Sequence, residues 1–162
     1  GGEPSPWPTE AEQAIDRATV VLAAEVSGAM AFALETTIDY LKTRRQFGRA
    51  LAGNQALQHR LVDLYVSIEE TRALARAAAE VVESGDATMR RRYASAAKAR
   101  ANQAARRTAE DTVQLHGAIG MTEEYVLGRY VRYLGAMQTL FGDTAWHLER
   151  VADERHPIGA ER

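Results

Sequence analysis

Apolar residues recur at helical spacing along three long stretches of the chain. Ile15, Leu22, Val26, Met30, Leu34, Ile38 and Leu41 mark one face of a helix over about 9–43. Thr9 and Glu12 fit a capping box at its start, where each side chain would satisfy a backbone donor near the other. A second stripe, Leu57, Leu61, Leu64, Ile68, Ala75, Ala78 and Val82, follows Asn54, a favoured N-cap residue. It stops at Ser84-Gly85-Asp86, where Gly85 suits a left-handed cap. A third helix is expected over 87–115. Its inner face is small, with Ala97, Ala101, Ala104 and Thr108, so a neighbouring helix can approach closely. Shorter helices are expected over 123–134 and 143–154.

Proline punctuation agrees. Three of the four prolines lie in the first eight residues and the fourth is Pro157, so none interrupts these stretches. Short connections between long helices predict an all-α fold, an antiparallel four-helix-type bundle with extra short C-terminal helices. The bundle is expected over 9–154, with 1–8 and 155–162 as tails. Leu22, Val26, Met30, Leu61, Leu64, Ile68 and Ala97 are its expected core.

Composition narrows the chemistry. In 162 residues there is no cysteine, which excludes disulfides, thiolate nucleophiles and cysteine-held metals. The net charge of −2 argues against a nucleic-acid partner. Hydrophobic residues make up 46% of the chain, but no unbroken apolar run approaches a membrane span, so none is expected. The first eight residues carry no basic flank and no apolar stretch, so no signal peptide is read there and a cytoplasmic location is expected. Gly1-Gly2 reads as an expression remnant, which points to a fragment.

Few residues look chemical. A di-iron bundle needs Glu-x-x-His pairs. His59, His116 and His147 follow Ala56, Val113 and Thr144 at that spacing, and only His156, in the tail, follows an acid, Asp153. No metal site is expected, and the histidines read as surface or packing residues. Gly117 and Gly120 match the length of an RNA-binding GXXG loop but lack flanking strands. The run Arg90-Arg91-Arg92 reads as a solvated helix start. Lys98, Arg100, Arg106 and Arg107 extend its charge, and nucleic-acid binding through it remains a third option, testable by steep salt dependence. The break Arg44-Arg45-Gln46-Phe47-Gly48 is more suggestive. An arginine fork suits a pyrophosphate and a phenylalanine can stack on a heteroaromatic ring, although such a loop also serves purely structural ends. A second polar break, Gln114-Leu115-His116-Gly117-Ala118-Ile119-Gly120, would complete a cofactor edge.

These breaks, with Gln55-Ala56-Leu57-Gln58-His59, Tyr93-Ala94-Ser95-Ala96-Ala97-Lys98-Ala99 and Met121-Thr122-Glu123-Glu124-Tyr125, make the chain resemble the C-terminal domain of the acyl-CoA dehydrogenase family. The resemblance runs from about Ala14 to Ala152. It implies an oxidoreductase that desaturates an acyl-CoA thioester with FAD, a bundle that forms the core of a dimer of dimers, and flavin bound where bundle and middle β-domain meet. By the same resemblance Arg44 and Phe47 reach the ADP part of FAD on a neighbouring subunit, with Gln46 where many relatives have a small hydroxyl residue. Gln114 and Gly117 share that work. Ala118 stands where many relatives have a second glycine, and its methyl narrows the approach to the pyrophosphate.

Two departures from the family pattern stand out. Relatives take the α-proton with a glutamate in a Glu-Gly-Thr segment; here the stretch is Leu140-Phe141-Gly142-Asp143-Thr144. One register puts Phe141 at the base position, the other Gly142. The alternative position on the first helix corresponds to Ala18. No catalytic residue is therefore expected. Asp143 is the nearest acid, and Gly142→Glu is the change expected to create a weak second site, on condition that the pocket beside the flavin still admits an acyl chain. The second departure is that the N-terminal helical and middle β-domains are missing upstream, which implies a piece of a longer protein or an isolated C-terminal half, colourless by itself. Relatives that lack a base are non-catalytic partners in heteromeric enzymes for bulky side chains such as those of steroids. Homo-oligomer or heteromer with a catalytic acyl-CoA dehydrogenase subunit is thus the expected assembly, acting in lipid or steroid catabolism. The rival reading is a cofactor-free helical oligomerisation module.

Overall fold

The computed structural model describes residues 9–46, 48–83, 86–117, 120 and 125–155. Five helices account for nearly all of them: α1 (Thr9–Thr43), α2 (Gln55–Val82), α3 (Ala87–His116), α4 (Val126–Met137) and α5 (Thr144–Arg155). At a rise of ~1.5 Å per residue, the 35 residues of α1 run about 52 Å. α1, α2 and α3 pack on one another, α4 lies across α1 and α3, and α5 is seated chiefly on α3. The fold is the helical bundle expected.

The long helices obey their stripes. Leu22, Val26, Met30, Leu64, Ile68 and Ala97 are buried in one apolar cluster with Ala75, Ala78, Ala101 and Ala104. Leu61, expected in the core, is only half-buried at its margin. Alanines on facing positions let the helices approach closely. Three buried hydroxyls on these faces are satisfied within their own helices: Thr37, Thr71 and Thr112 each donate to the carbonyl four residues back, at 2.7–2.9 Å.

The ends are set by side chains. Asn54 caps α2 by accepting from Ala56 N at 3.0 Å. Asp86 caps α3 by accepting from Met89 N at 3.0 Å. Gly85, expected as a left-handed cap, lies outside the described residues. α4 starts at Val126 rather than 123, with Tyr125 as its first flanking residue, and continues to Met137.

Two expectations are corrected by charge placement. Glu12 gives its carboxylate to Arg91, at 2.8 Å from Nε, and to Arg150, while the Thr9 side chain of the expected capping box lies outside the described residues. Arg90 is not solvated: it is buried and paired with buried Asp16 at 3.0 Å. Lys98 is buried completely. Among the described residues α1 is the one helix long and apolar enough to cross a membrane, with a mean hydropathy of 1.5 over 18 residues, which the absence of an unbroken apolar run concealed. Half of that window is buried inside the bundle. Asp16, Thr19, Ser27 and Thr37 lie on the helix's buried face, as suits a core helix.

Candidate functional site

The first break is a miniature hairpin. α1 ends as Arg44 N donates to Tyr40 O at 2.8 Å, and two-residue strands β1 (Arg45–Gln46) and β2 (Arg49–Ala50) then pair antiparallel. Gly48, at φ +77°, supplies the left-handed residue of the turn. Leu51 N donates back to Arg44 O at 2.9 Å and closes the loop. Periodicity could not show these strands, because two residues carry no alternation.

Arg44, Arg45, Gln46 and Arg49 are exposed on this hairpin. Among the described residues none of the three arginines is paired with a carboxylate. Unpaired guanidinium groups on a rigid turn fit a pyrophosphate, whose oxygens they can take two at a time.

The second break ends α3. Gly117 adopts φ +64° and ψ −147°, a conformation that is essentially glycine's alone. A Cβ there would meet nothing within 4 Å, so its backbone is open to approach. Gly120 is glycine for another reason: a Cβ would lie 2.8 Å from His116 Cβ and 3.4 Å from the Val113 backbone. Gln114 is exposed beside them. Phe47 and Ala118 lie outside the described residues.

His116, read from sequence as a surface or packing residue, packs between the two breaks and joins them. Its ring stacks on Tyr40 at 4.3 Å between centroids and meets Tyr125 at 5.2 Å. Nδ1 donates to Thr112 O at 2.9 Å, and Tyr40 Oη donates to His116 O at 3.4 Å. Burial holds the imidazole pKa below its ordinary value, partly offset by the Thr112 bond, and Nε2 is buried without a partner among the described residues. A neutral ring between the ends of α1 and α3 thus sets the hairpin and the Gln114–Gly117 edge at one end of the bundle.

The stretch that the resemblance aligns with the family's base forms a separate turn, 138–142, between α4 and α5. Gly142 N donates to Thr139 O at 3.1 Å, with Phe141 at φ +60° and Gly142 at φ +112°. A Cβ on Gly142 would sit 2.7 Å from Trp146 Cε3 and 3.0 Å from His147 Nε2. Position 142 therefore admits no side chain, and the expectation that Gly142→Glu creates a weak site is withdrawn on steric grounds. The Phe141 side chain is exposed, which leaves 141 as the position with room. Asp143 caps α5, accepting from Trp146 N at 2.9 Å. Ala18 is half-buried on α1. No group of three acidic or histidine residues able to hold a metal ion occurs among the described residues.

A further groove of about 420 Å³ runs between α1 and α4, lined by Glu25, Phe32, Tyr130 and Tyr133 among others. Tyr133 Oη donates to Glu25 at 2.6 Å, and Phe32 stacks on Tyr130 at 4.3 Å.

Comparison with known proteins agrees with this arrangement. The family description "Acyl-CoA dehydrogenase, C-terminal domain" matches residues 9–155. "Acyl-CoA dehydrogenase IpdE2" of Mycobacterium tuberculosis is 37% identical over 139 residues, 86% of this chain and 42% of the relative. Among solved structures, a variant of the "Tcur3481-Tcur3483 steroid ACAD" superposes with a TM-score of 0.84 at 34% identity, over 90% of this chain and 40% of that one. The "ChsE4-ChsE5 complex from Mycobacterium tuberculosis" gives 0.83 at 25% identity, over 90% and 39%. The chain spans about two fifths of the length of these relatives.

Proposed function

Because the chain belongs to the acyl-CoA dehydrogenase family, as its C-terminal helical domain, we propose that it forms part of an FAD-dependent enzyme that desaturates an acyl-CoA, without contributing the base. The observation that carries this reading is the joining of the two breaks at one end of the bundle by the Tyr40–His116 stack. Arg44, Gln46, Phe47, Gln114, Gly117 and Ala118 form the cofactor edge. Arg44 pairs with phosphate oxygens, Gln114 adds a neutral hydrogen bond, and the open backbone at Gly117 lets the pyrophosphate come close. FAD, when bound, accepts the hydride that leaves the β-carbon.

Removal of the α-proton needs a positioned carboxylate, because the proton is weakly acidic. Phe141 and Ala18 have none, Gly142 has no side chain, and Asp143 is spent on capping α5. The proton is therefore taken on another chain, and we assign this one as the non-catalytic partner of a heteromer acting on a bulky acyl-CoA. The solved neighbours named for two components, Tcur3481-Tcur3483 and ChsE4-ChsE5, support a partner.

The test is reconstitution. The longer protein containing this segment is produced alone and with a base-bearing acyl-CoA dehydrogenase chain, and bound flavin is read by its visible absorbance. Flavin retained in the mixed assembly and lowered by Arg44→Ala supports the reading. A stable assembly that never binds flavin would leave only a helical oligomerisation module.

A further inference from the structure

Lys98 is the largest fully buried side chain among the described residues, and flavin binding gives it no task. It lies on α3 facing the turn between α4 and α5. Its Nζ donates to Asn102 Oδ1 at 2.5 Å, to Met137 O at 2.9 Å and to Gly142 O at 3.4 Å. Asn102 Nδ2 donates to the same Gly142 carbonyl at 3.4 Å. From α5, His147 Nε2 donates to Phe141 O at 3.1 Å. Three buried side chains on two helices thus take the carbonyls of Met137, Phe141 and Gly142.

An ammonium is costly to bury unless it is fully hydrogen-bonded. Packing alone would be met at lower cost by methionine or leucine. The carbonyls that Lys98 collects therefore explain its presence. The turn needs such support, since a non-glycine residue at positive φ, here Phe141, persists only where its surroundings over-determine it.

We propose that Lys98, with Asn102 and His147, is the positioning residue of the 138–142 turn, holding it in the one form in which position 142 is closed and position 141 faces outward. The proposal rests on the family reading only for the turn's significance in the enzyme; the clamp itself rests on the geometry above.

The protonation states agree with it. Burial pulls the Lys98 ammonium down to about 8, against a smaller opposing pull from Asp143, so it stays largely charged at neutral pH. Burial, then Lys98 and Arg150, push His147 down to about 4, so it stays neutral with its proton on Nε2. Asp143, His147 and, beyond it, Arg150 are the charged and titratable groups in this cluster, and Arg150 is itself held by Glu12 and Asp16 of α1.

The test uses the 162-residue chain with Lys98→Met, which fills the space and removes the donors. Two readouts are followed: native-state chymotrypsin cleavage after Phe141, and the acid titration of the His147 ring by NMR. Cleavage should rise about tenfold or more while helix content holds, as expected when one segment opens locally. The His147 midpoint should move up, because the Lys98 charge no longer opposes its protonation. Unchanged cleavage or an unchanged midpoint in a folded variant overturns the proposal. Should Lys98→Met not fold, the wild-type chain decides: the Gly142 amide should be protected from hydrogen exchange, and exchange at the rate of an open peptide overturns the clamp. No readout involves flavin or turnover, so failure here is distinguishable from failure of the proposed function.

Discussion

Arg90 donates from Nε to Asp16 Oδ2 at 3.0 Å in the interior of the bundle, and the two side chains are 4% and 0% exposed. Arg150 completes the arrangement, with Nη1 2.7 Å from Asp16 Oδ1 and 3.1 Å from Ser95 Oγ. One aspartate thus joins α1, α3 and α5. Asp16→Ala would leave Arg90 buried without its counter-charge, and breaking such a pair costs about 3–5 kcal/mol. Urea unfolding should show that loss. The double change Asp16→Leu with Arg90→Met should recover part of it, since apolar replacement of a buried pair is often neutral, while Arg150 keeps only Glu12 as its counter-charge. A single-variant loss no larger than that of an exposed pair such as Arg106–Glu110 would contradict this account.

Core packing makes a second prediction. Leu64 is fully buried, so Leu64→Ala should cost about 2–5 kcal/mol. Leu61 is three residues away but only half-buried, and Leu61→Ala should cost clearly less. Equal losses in denaturant unfolding would show that the margin of the core is drawn wrongly.

The difference between these residues marks how far the sequence carries. Stripes of Leu, Ile and Val at helical spacing located α1 and α2, and a small Ala-rich face located α3, because tertiary burial imposes that period. They could not separate Leu61 from Leu64, since both sit on the apolar side. Charge was the less legible property. Arg90 stands in a run of three arginines that looks solvated, and only the fold brings Asp16, 74 residues earlier, against it. Lys98 was hidden in the same way, since its acceptors Met137 and Gly142 are distant carbonyls. At the site, Arg44 and Gln114 were found through family resemblance. The stack of Tyr40 on His116 that brings their segments together had no local signal. Gly142 was readable as a missing base but not as a closed position, because its neighbours Trp146 and His147 come from the next helix.

His147 gives the stability a defined pH dependence. Its folded pKa, about 4, is below the ordinary 6.5, so the folded state favours the neutral ring. The unfolded chain binds the extra proton between those values, and stability falls as pH drops from 6.5 through about 4. Above 6.5 this contribution is fully present. Lys98 acts in the same sense at higher pH: its depressed pKa lets stability rise between about 8 and 10.5. Urea midpoints measured across the acid range should fall in the wild type and fall less in His147→Gln.

Arg44 tests the cofactor edge. In the intact assembly Arg44→Ala removes a charge-assisted bond to phosphate, of about 1.5–3 kcal/mol. At ~1.4 kcal/mol per decade, flavin retention should weaken about 10- to 100-fold. Arg106, exposed on α3 and paired within its own helix to Glu110, supplies the control, since Arg106→Ala should leave flavin binding unchanged. The isolated 162-residue chain should purify colourless. Equal flavin loss from both variants would remove Arg44 from the site.

The turn at 138–142 allows the proposed lack of a base to be tested by adding one. Phe141 already holds φ +60° with its side chain exposed, so Phe141→Glu introduces no new backbone strain. Gly142→Glu does, and its Cβ would also lie 2.7 Å from the Trp146 ring, while φ +112° disfavours any side chain. Such strain costs on the order of 1–3 kcal/mol before the clash is counted. Asp143→Ala removes only a cap, at about 0.5–2 kcal/mol. These differences separate stability from chemistry. In the intact assembly, Asp143→Ala should lower thermal stability slightly and, under the proposed function, leave turnover unchanged. Gly142→Glu should lower the melting temperature without any gain. Phe141→Glu should fold like the wild type. It should also add activity in an assembly whose partner base has been removed, provided an acyl chain reaches this flavin. A positioned base contributes about 10²–10⁴-fold, so even a poorly aimed glutamate at 141 should stand clear of the background. A collapse of turnover in Asp143→Ala with flavin still bound would instead identify Asp143 as the base and overturn the assignment of this chain as the non-catalytic partner.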